Sequence, residues 1–569
     1  MRLKRHVQLL ESTLKHVSAR PFLSSQCNRC HFSSTSGASS PEQIAVLGGG
    51  ISGLSSAYFT ALEFPNTKIT IYERSEELGG WIRSKRVKVP GGEVVFEQGP
   101  RTLRPAQNSL VTAMMIDYLD LRSQVLFTQQ NSAAARNRYI YYPDRLLLLP
   151  APGSNDPLVN WLRLANSGLL DGVWKVLTEA WKPGRPANMT DESLGSFLSR
   201  RIDKRPVQNI ASAVMHGIYA GDIWQLSAKT LAGWLWHQEG RSGSITRGLW
   251  RMNEVDPPVK GFLALRHPYD VDLFREMRAE TDGIPTDFIQ QLASCSTFSF
   301  KNGLCQLTDS LEAWLEKDSN VTIKKGCRVN SFTKAKDGLQ QVVVDVGDDP
   351  NRTTHNYDLV ISTLPTPDVT DYVTVMTVNL YFPTPNLTPV QGFGYLIPQS
   401  VPFEQNPERA LGVIFDSDAI TGQDTAPGTK LTVMLGGHWW SGWQSFPSSS
   451  EGVEMAKSVI RRHLKITEEP IAVNATLSEN CIPQYTVGYE ERLKGFAIGA
   501  QNEFGGRLRV VSNQFNGIGV NDCITGAWDM ARNLRGEGWK SKSCGLDRVL
   551  DERPWVPAEH WSPYVRKKE

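Results

Sequence analysis

The chain has 569 residues, 40% of them hydrophobic and 21% charged, which is the composition of a folded chain with more than one domain. The formal net charge of +2 excludes the strongly basic field that nucleic-acid binding needs. No stretch approaches the roughly 18 uninterrupted apolar residues of a spanning helix, so we expect a protein that is soluble or lies on a membrane surface.

Residues 1–40 form a basic leader with a single acid, Glu11. Its last part, residues 33–40, is rich in Ser, Thr and Gly. Its apolar residues recur on one helical face, at Val7, Leu10, Leu14 and Val17. This composition is typical of a mitochondrial transit peptide, and a disordered basic tail is the alternative.

The eight cysteines are scattered through the chain, which predicts reduced thiols rather than a disulfide framework. Cys27 and Cys30 form a CxxC, but no second pair stands at zinc spacing and both lie in the leader. We therefore expect no metal site.

The strongest functional signal begins at residue 44. An apolar run at 44–47 predicts a buried strand, and it leads into the sequence GGGISG at 48–53. Apolar residues then recur at helical spacing, and residues 68–72 alternate toward a second strand that ends at Glu73. A strand, a GxGxxG turn, a helix and an acid twenty residues further on together predict a dinucleotide site.

Each part of this pattern has a mechanical reason. Gly48 permits the tight turn, Gly50 lets a pyrophosphate approach the backbone, and Gly53 allows the helix to pack on the strand. The helix N-terminus offers free N–H groups to the phosphates. Glu73 is placed to accept hydrogen bonds from the ribose hydroxyls of an adenosine.

The residues after Glu73 favour FAD over NAD. Arg74 is followed by the sequence ELGGW at 77–81, which resembles the extension that follows the nucleotide unit in amine-oxidase-like flavoproteins. Only one dinucleotide fingerprint is visible, so the chain offers no second site for NAD(P)H. A protein that holds FAD alone returns its electrons elsewhere, most simply to O2.

The C-terminal part predicts a second cofactor segment. Residues 507–511 are expected to form a strand, residues 514–519 a turn, and a helix is expected from about Asn521, with Asn521 or Asp522 as its N-cap. Such a helix dipole stabilises negative charge on a reduced flavin. An ordinary C-terminal helix is the alternative.

Seven motifs, taken together, resemble the protoporphyrinogen oxidase family over residues 44–536. In chain order they are LGGGISGL (47–54), LGGWIRS (78–84), GPRTLRP (99–105), VQGFGYLIP (390–398), VMLGG (433–437), NCIPQYTVGY (480–489) and GVNDC (519–523). Two departures from the family pattern are Ser512-Asn513 in place of Gly-Ala and Asn302-Gly303 in place of Gly-Gly.

The resemblance implies one non-covalent FAD per chain. The implied cofactor contacts are Gly48, Gly49, Gly50, Ile51, Ser52, Gly53, Glu73, Arg74, Gly80, Trp81, Gly99, Pro100, Arg101, Thr102, Val329, Ile518, Gly519 and Val520. For Arg101, a structural role or a flavin role are both open.

The resemblance also implies a substrate, protoporphyrinogen IX, and a set of residues for it. Arg138 matches the arginine that pairs with a propionate, Phe393 and Leu396 match side chains that sandwich the macrocycle, and Met434 and Gly217 match further contacts.

The family reaction removes six electrons through flavin N5 and reduces three O2 to H2O2, in the penultimate step of haem biosynthesis. It needs no catalytic side chain. Taken alone, an isolated Phe or Met is usually a core residue, and a single Arg is usually a surface charge.

Residues 156–182 combine tryptophan with basic residues, and Leu170, Trp174, Leu177 and Trp181 form a helical stripe. This pattern suits a helix in a membrane interface, and a packed helix is the alternative. The family resemblance implies peripheral attachment to the inner mitochondrial membrane, on the intermembrane-space side. A homodimer and a handover of product to ferrochelatase are compatible with it.

We expect an α/β fold, with a Rossmann-type FAD-binding domain, a mixed-sheet substrate domain and an inserted helical membrane-associated domain. Residues 250–285 are polar and interrupted by proline, which predicts a long loop. The expected order is transit peptide 1–40, FAD-binding segments 41–110, 301–375 and 481–537, helical domain 111–225, substrate segments 226–300 and 376–480, and tail 538–569.

Two other functions remain open from the sequence. One is a different flavin oxidase, for polyamines or carotenoids, which usually needs an aromatic pair facing the flavin. The other is a non-catalytic FAD-binding protein that keeps the fold. The intact Arg138 and GFGYL motifs argue against the second.

Overall fold

The computed structural model describes residues 40–150, 157–253, 263–280, 283–336 and 340–559. The predicted transit peptide, apart from Ser40, and the CxxC within it lie outside the described residues.

A five-stranded parallel sheet forms the centre of the nucleotide-binding part. Its apolar strands are buried on both faces, as in other parallel sheets. In spatial order the strands are Val321–Lys324, Lys68–Tyr72, Gln43–Leu47, Leu359–Ser362 and Leu508–Val510. They come from three separated stretches of the chain, and the predicted Rossmann-type arrangement is confirmed.

Helices cover one face of this sheet and a smaller sheet covers the other. Helices Ile51–Glu63 and Val520–Gly536 pack together through Leu54, Ile524 and Ala527. On the opposite face lies an antiparallel sheet of three strands, Val329–Lys334, Val342–Val346 and Thr353–Tyr357.

A seven-stranded mixed sheet forms the second part of the fold. In spatial order its strands are Ala472–Pro483, Tyr372–Phe382, Thr429–Gly436, Ala410–Phe415, Gly394–Leu396, Tyr139–Tyr141 and Leu146–Leu148. Helix Ser449–Leu464 packs on one face through Ala456, Val459 and Ile460. The last two strands come from the stretch that we expected to be helical, so the mixed sheet crosses that predicted boundary.

Three strand pairs complete the sheet structure: Ser84–Val89 with Gly92–Glu97, Val125–Gln129 with Cys295–Phe300, and Leu263–Arg266 with Val556–Glu559. The remaining α-helices are Ser109–Tyr118, Ala133–Arg136, Pro157–Ser167, Leu194–Arg201, Lys204–Pro206, Ser212–Tyr219, Ala228–Leu231, Gly233–Ser242, Ile245–Asn253, Pro268–Glu280, Thr286–Ser294, Cys305–Glu316, Asp416–Ala419, Tyr489–Phe504 and Asp547–Leu550. Short 3-10 helices span Arg122–Gln124, Val173–Trp181, Phe403–Gln405 and Gly437–Trp440, and a π-helical turn spans Val207–Ala211. Within the described residues, no helix is both long and apolar enough to cross a bilayer.

The prediction of a long loop at residues 250–285 is wrong for most of the part that the structure describes, which contains the end of helix Ile245–Asn253, strand Leu263–Arg266 and helix Pro268–Glu280. Helix Pro268–Glu280 begins with a proline, which suits a first helical position, and it buries Phe274 and Met277 in the core. The strand before it pairs with Val556–Glu559, so the C-terminal stretch as far as residue 559 belongs to the folded unit. The apolar spacing within a polar segment was too sparse to reveal this packing.

Candidate functional site

The glycine turn at residues 48–53 has the close contacts that its sequence predicts. Gly48 has a φ of +104°, and a Cβ there would lie 2.3 Å from Thr363 Oγ1. A Cβ on Gly53 would lie 1.8 Å from the carbonyl oxygen of Gly48. Both positions therefore exclude a side chain for reasons internal to the fold.

Two glycine turns meet at the start of helix Ile51–Glu63. Gly79 N donates to Gly49 O at 2.9 Å, which sets Gly50 against Gly80. A Cβ on Gly50 would have a single heavy atom within 4 Å, Gly80 Cα at 3.8 Å, so Gly50 faces open space beside the helix N-terminus. This cradle fits a pyrophosphate, which needs free N–H groups and close backbone approach.

Glu73 lies at the end of the second strand, as predicted. Its two carboxylate oxygens accept hydrogen bonds from Gly49 N at 2.7 Å and Ser75 N at 2.8 Å. These bonds orient the carboxylate, and each oxygen keeps a lone pair for a ribose hydroxyl. Cys327 N donates to Glu73 O at 2.8 Å, which brings the segment leading to Val329 beside the same place.

The segment that contains Gly99 and Arg101 joins the two sheets. A Cβ on Gly99 would lie 2.1 Å from Trp81 O, so this segment packs directly on the second glycine turn. Arg101 forms an ion pair with Asp416 at 2.6 Å, and both side chains are about 5% exposed (6% and 4%). This pairing, which the sequence left open, ties the predicted cofactor segment to the mixed sheet.

The C-terminal helix begins at Val520, one residue before the predicted start, with Gly519 as its N-cap. The Asp522 carboxylate accepts from Gly519 N at 3.0 Å and from the Asn108 side chain. Burial raises the pKa of the Asp522 carboxyl, against the effect of these two hydrogen bonds. The prediction of Asn521 or Asp522 as the N-cap is therefore wrong: Asp522 lies at the third helical position, where its carboxylate accepts from the N–H of the N-cap Gly519.

Three neighbouring strands of the mixed sheet form an apolar row. Leu396 pairs with Gly412, and Gly412 pairs with Met434, so the three share one face. A Cβ on Gly412 would lie 3.1 Å from Leu396 Cδ2, so the absence of a side chain at Gly412 leaves room for the Leu396 side chain. Gly412 was not among the predicted site residues, since nothing marks a lone glycine within a strand except its register with its neighbours.

Arg138 and Phe393 lie at one end of this row. They directly precede two strands that pair in parallel, and the Arg138 guanidinium carbon lies 4.4 Å from the centre of the Phe393 ring. Among the described residues no carboxylate pairs with Arg138. Burial lowers the pKa of the Arg138 guanidinium, and the charge of Arg104 lowers it further. A bound carboxylate would relieve both effects.

Gly217 completes the wall opposite Leu396. A Cβ on Gly217 would lie 2.9 Å from Leu396 Cδ2, so the helix backbone packs directly on that side chain. All five residues predicted for the substrate therefore lie around one part of the mixed sheet. Thr377, which pairs with Met434, donates to Gln98 O at 2.7 Å, so the residue before Gly99 lies beside this row.

The NCIPQYTVGY motif has a structural role that the sequence did not reveal. Gln484 Nε2 donates to Tyr219 O at 2.9 Å, and the hydroxyls of Tyr485 and Tyr489 donate to Asn513 O and Gln514 O. The motif thus joins the segment after Gly217 to the loop that leads into the C-terminal helix. Cys481 is buried and burial raises its pKa to about 12, so its thiol stays protonated and is a poor nucleophile.

An exposed apolar surface lies on the 3-10 helix Val173–Trp181. Trp174, Leu177 and Trp181 are 64%, 75% and 80% exposed. Glu179 faces inward, where it pairs with the buried Arg201 and accepts from Thr246 N at 2.8 Å. We expected an α-helix here, and Trp161, also part of the prediction, has a side chain outside the described residues.

The parallel sheet, the glycine cradle at a helix N-terminus and the acid after the second strand define a dinucleotide-binding oxidoreductase, with a separate apolar site on a mixed sheet. A family profile described as flavin containing amine oxidoreductase matches residues 51–532. The chain belongs to this family and, within it, to the protoporphyrinogen oxidases. FAD is its cofactor, and the cradle around Gly50 fits it.

Two relatives named protoporphyrinogen oxidase carry this assignment. The protein of Schizosaccharomyces pombe is 34% identical over 86% of this chain and 98% of its own length. The Homo sapiens protein is 30% identical over 87% of this chain and 98% of its own length. A solved structure from Exiguobacterium sp. 255-15 has a TM-score of 0.64 at 20% identity, covering 88% of this chain and all of its own, which shows the shared fold.

Proposed function

We propose that this chain oxidises protoporphyrinogen IX to protoporphyrin IX with O2, in the penultimate step of haem biosynthesis. Three O2 would be reduced to three H2O2, which balances the six electrons removed. One observation carries the proposal. Arg138 and Phe393 lie at the end of the Leu396–Gly412–Met434 row, and this row lies beside the segment that contains Gly99.

The charge of the site distinguishes this substrate from an amine. A tetrapyrrole presents a broad apolar face and two carboxylates at one edge, which suit the apolar row and the arginine at its end. A polyamine is cationic, and it would meet the positive charge of Arg138 with Arg104 nearby. We therefore favour the porphyrinogen over the amine substrates of other flavin oxidases.

When bound, FAD supplies a hydride acceptor and later a reductant for O2. The residues of this chain contribute binding and orientation. Arg138 anchors a carboxylate, Phe393 and the apolar row support the ring, and Gly217 leaves room for Leu396 to lie against the helix backbone. No side chain needs to act as a strong base, because the pyrrole N–H protons can leave to solvent as conjugation develops.

Anaerobic reduction tests the proposal. Purified protein loaded with FAD should lose its yellow absorbance when protoporphyrinogen is added without O2, and it should stay yellow with spermine. On admission of O2 the absorbance should return with formation of H2O2. Protein that stays yellow with protoporphyrinogen would contradict the proposal and favour a non-catalytic FAD-binding role.

Replacing Arg138 by alanine should raise KM for protoporphyrinogen about 10- to 100-fold, with a smaller change in kcat. A lost hydrogen-bonded contact between charged groups is worth roughly 1.5–3 kcal/mol. FAD content should be unchanged. Arg138→Lys should give an intermediate KM, because an ammonium keeps the charge but not the planar fork. Steady-state kinetics would measure this, with Arg275→Ala, an exposed arginine, as the control. An unchanged KM in Arg138→Ala would refute its role.

We also propose that the surface of Trp174, Leu177 and Trp181 attaches the protein peripherally to the inner mitochondrial membrane, on the intermembrane-space side. Large exposed apolar side chains are unusual in a contiguous set and suit an interface with lipid. A membrane location also suits a product that is apolar. Mitochondrial targeting by residues 1–40 is part of the same proposal and rests on the basic, acid-poor composition of that segment. A homodimer and a handover of product to ferrochelatase are compatible with it.

Substituting serine for Trp174, Leu177 and Trp181 together should weaken binding to vesicles by at least about 100-fold. The reason is the loss of apolar area that would otherwise enter the lipid interface, at roughly 25 cal/mol per Å2. Co-sedimentation with cardiolipin-containing vesicles would measure the effect. Ile498→Ser, which changes an exposed apolar residue on helix Tyr489–Phe504, is the control and should bind as the parent does. Equal binding to vesicles by the parent, the triple serine variant and Ile498→Ser would contradict the proposal that this surface attaches the protein to the membrane.

A further inference from the structure

A hydrogen-bonded pair of histidines, one buried and one half-buried, lies directly behind the predicted substrate residues. His216 precedes Gly217 on helix Ser212–Tyr219, and His438 lies four residues after Met434, on the turn Gly437–Trp440. Their Nε2 atoms are 2.8 Å apart, and His216 is only 2% exposed. The function proposed above assigns no task to either ring.

The hydrogen bonds decide where the protons lie. His216 Nδ1 is 2.6 Å from Ile397 O, and a carbonyl oxygen can only accept, so Nδ1 carries a hydrogen. In a neutral ring, His216 Nε2 is then bare and must accept. His438 therefore donates its Nε2 hydrogen to His216, and the chain of donors runs from His438 through His216 to Ile397.

The surroundings favour the neutral form of both rings. Burial lowers the pKa of His216 to about 3, helped by the neighbouring His438, and burial lowers the pKa of His438 to about 4. The charged side chains that face the pair are Asp222, after the helix, and Arg409, before strand Ala410–Phe415. Gln399 Nε2 lies 3.3 Å from His438 Nε2 and donates to Asp222 at 3.0 Å.

The pair joins the three backbone elements that carry substrate residues. His216 is tied to the carbonyl of Ile397, which follows Leu396, and Gly217 packs on that same Leu396. His438 N donates to Ala220 O at 2.8 Å, so the turn that follows the strand of Met434 is held to the end of the same helix. Neither imidazole needs to touch the substrate to affect its site.

We propose that His216 and His438 form a positioning pair, which holds helix Ser212–Tyr219 and the turn after Met434 against the strand of Leu396 and so fixes the place of the Leu396 side chain in the tetrapyrrole site. This inference rests on the proposed function. If His216 gains a proton at Nε2, two hydrogen-bearing Nε2 atoms face each other, the bond is lost and the helix is no longer held at its working distance from the sheet. A proton gained by His438 goes to its Nδ1 and leaves the bond in place.

The pair also predicts that substrate binding weakens at low pH. Because both pKa values in the folded protein lie below the ordinary value of 6.5, the pair contributes fully above about pH 6.5. Its contribution is lost as the pH falls toward 3, where His216 takes up a proton. KM for protoporphyrinogen should therefore rise on acidification in this range.

Two substitutions at His438 test the pair. His438→Leu removes the donor and should raise KM about tenfold or more with FAD retained, since small misplacements at a binding site are costly. His438→Gln places an amide N–H where Nε2–H stood and should restore KM to within about threefold of the parent. His438→Gln should also keep the parent's rise of KM at low pH, because His216 still titrates.

His463→Gln is the matched control. His463 is also buried, with a pKa lowered to about 4, and it bonds to Gln405 O at 2.7 Å in the core where helix Ser449–Leu464 packs. The substitution His463→Gln should lower the thermal midpoint of unfolding without changing KM or its pH dependence.

Equal KM in His438→Leu and the parent would overturn the pair's role. Should His438→Leu fail to fold, a KM in the parent that stays level as the pH falls toward 3 would overturn the pair's role instead. If the parent itself does not oxidise protoporphyrinogen, the proposed function fails and not the pair alone.

Discussion

Replacing Asp416 by asparagine should cost about 3–5 kcal/mol of unfolding free energy, because it leaves the buried charge of Arg101 without a partner. The ion pair at 2.6 Å is almost fully enclosed, and the second carboxylate oxygen accepts from Thr432 Oγ1 at 2.5 Å. The pair also joins the Gly99 segment to the mixed sheet, so kcat/KM should fall as well. Urea denaturation at a fixed FAD concentration would measure the loss.

An exposed ion pair provides the comparison. Asp345 and Arg352 pair on the small antiparallel sheet with the arginine 46% exposed, and Asp345→Asn should have a much smaller effect. Exchanging both Arg101 and Asp416 for methionine and leucine should recover part of the loss, since no unpaired charge remains. A loss in Asp416→Asn no larger than in Asp345→Asn would show that the Arg101 charge does not depend on Asp416.

Replacing Gly50 by valine should weaken FAD binding roughly 100-fold, about 2.7 kcal/mol, while the protein stays folded. A side chain at Gly50 meets almost nothing of the protein but enters the space that the cradle offers to the pyrophosphate. The backbone there is extended, with a φ of −74°, so valine adds no strain. Fluorescence titration of the apoprotein with FAD would measure the affinity.

Two other glycines separate cofactor loss from fold loss. A Cβ on Gly499, within helix Tyr489–Phe504, would meet nothing within 4 Å among the described residues, and Gly499→Ala should bind FAD normally. Gly53→Ala should lose both FAD and stability, because its Cβ would collide with Gly48 O. Normal FAD affinity in Gly50→Val would contradict the placement of the pyrophosphate.

The nucleotide half of the site was predictable to a large degree. The strand, glycine turn, helix and acid from residues 43 to 73 are neighbours in the chain, and each element has its own periodicity or conformational requirement. The strand at Leu508–Val510 and the helix after Gly519 were also predicted to within a residue or two. The division into domains was only partly visible, because short strands such as Tyr139–Tyr141 carry too few residues to show a period.

The substrate half depended on resemblance rather than on pattern. Arg138, Phe393 and Met434 are far apart in the chain, and none of them carries a local signal of binding. Their meeting follows from strand pairing, in which the partner of a residue is set by the register of whole strands. For the same reason Gly412, Asp416 and the histidine pair were not foreseen.

By itself the sequence determined the nucleotide cradle, the chemical type of the cofactor, the basic character of the leader and the apolar character of the 173–181 surface, because these depend on contiguous residues. Only the tertiary structure decided which buried charges and rings face one another, as in Arg101 with Asp416 and His216 with His438. These partners are more than 200 residues apart (315 and 222), and a contact over that separation is selected by the packing of the whole chain rather than by any local preference.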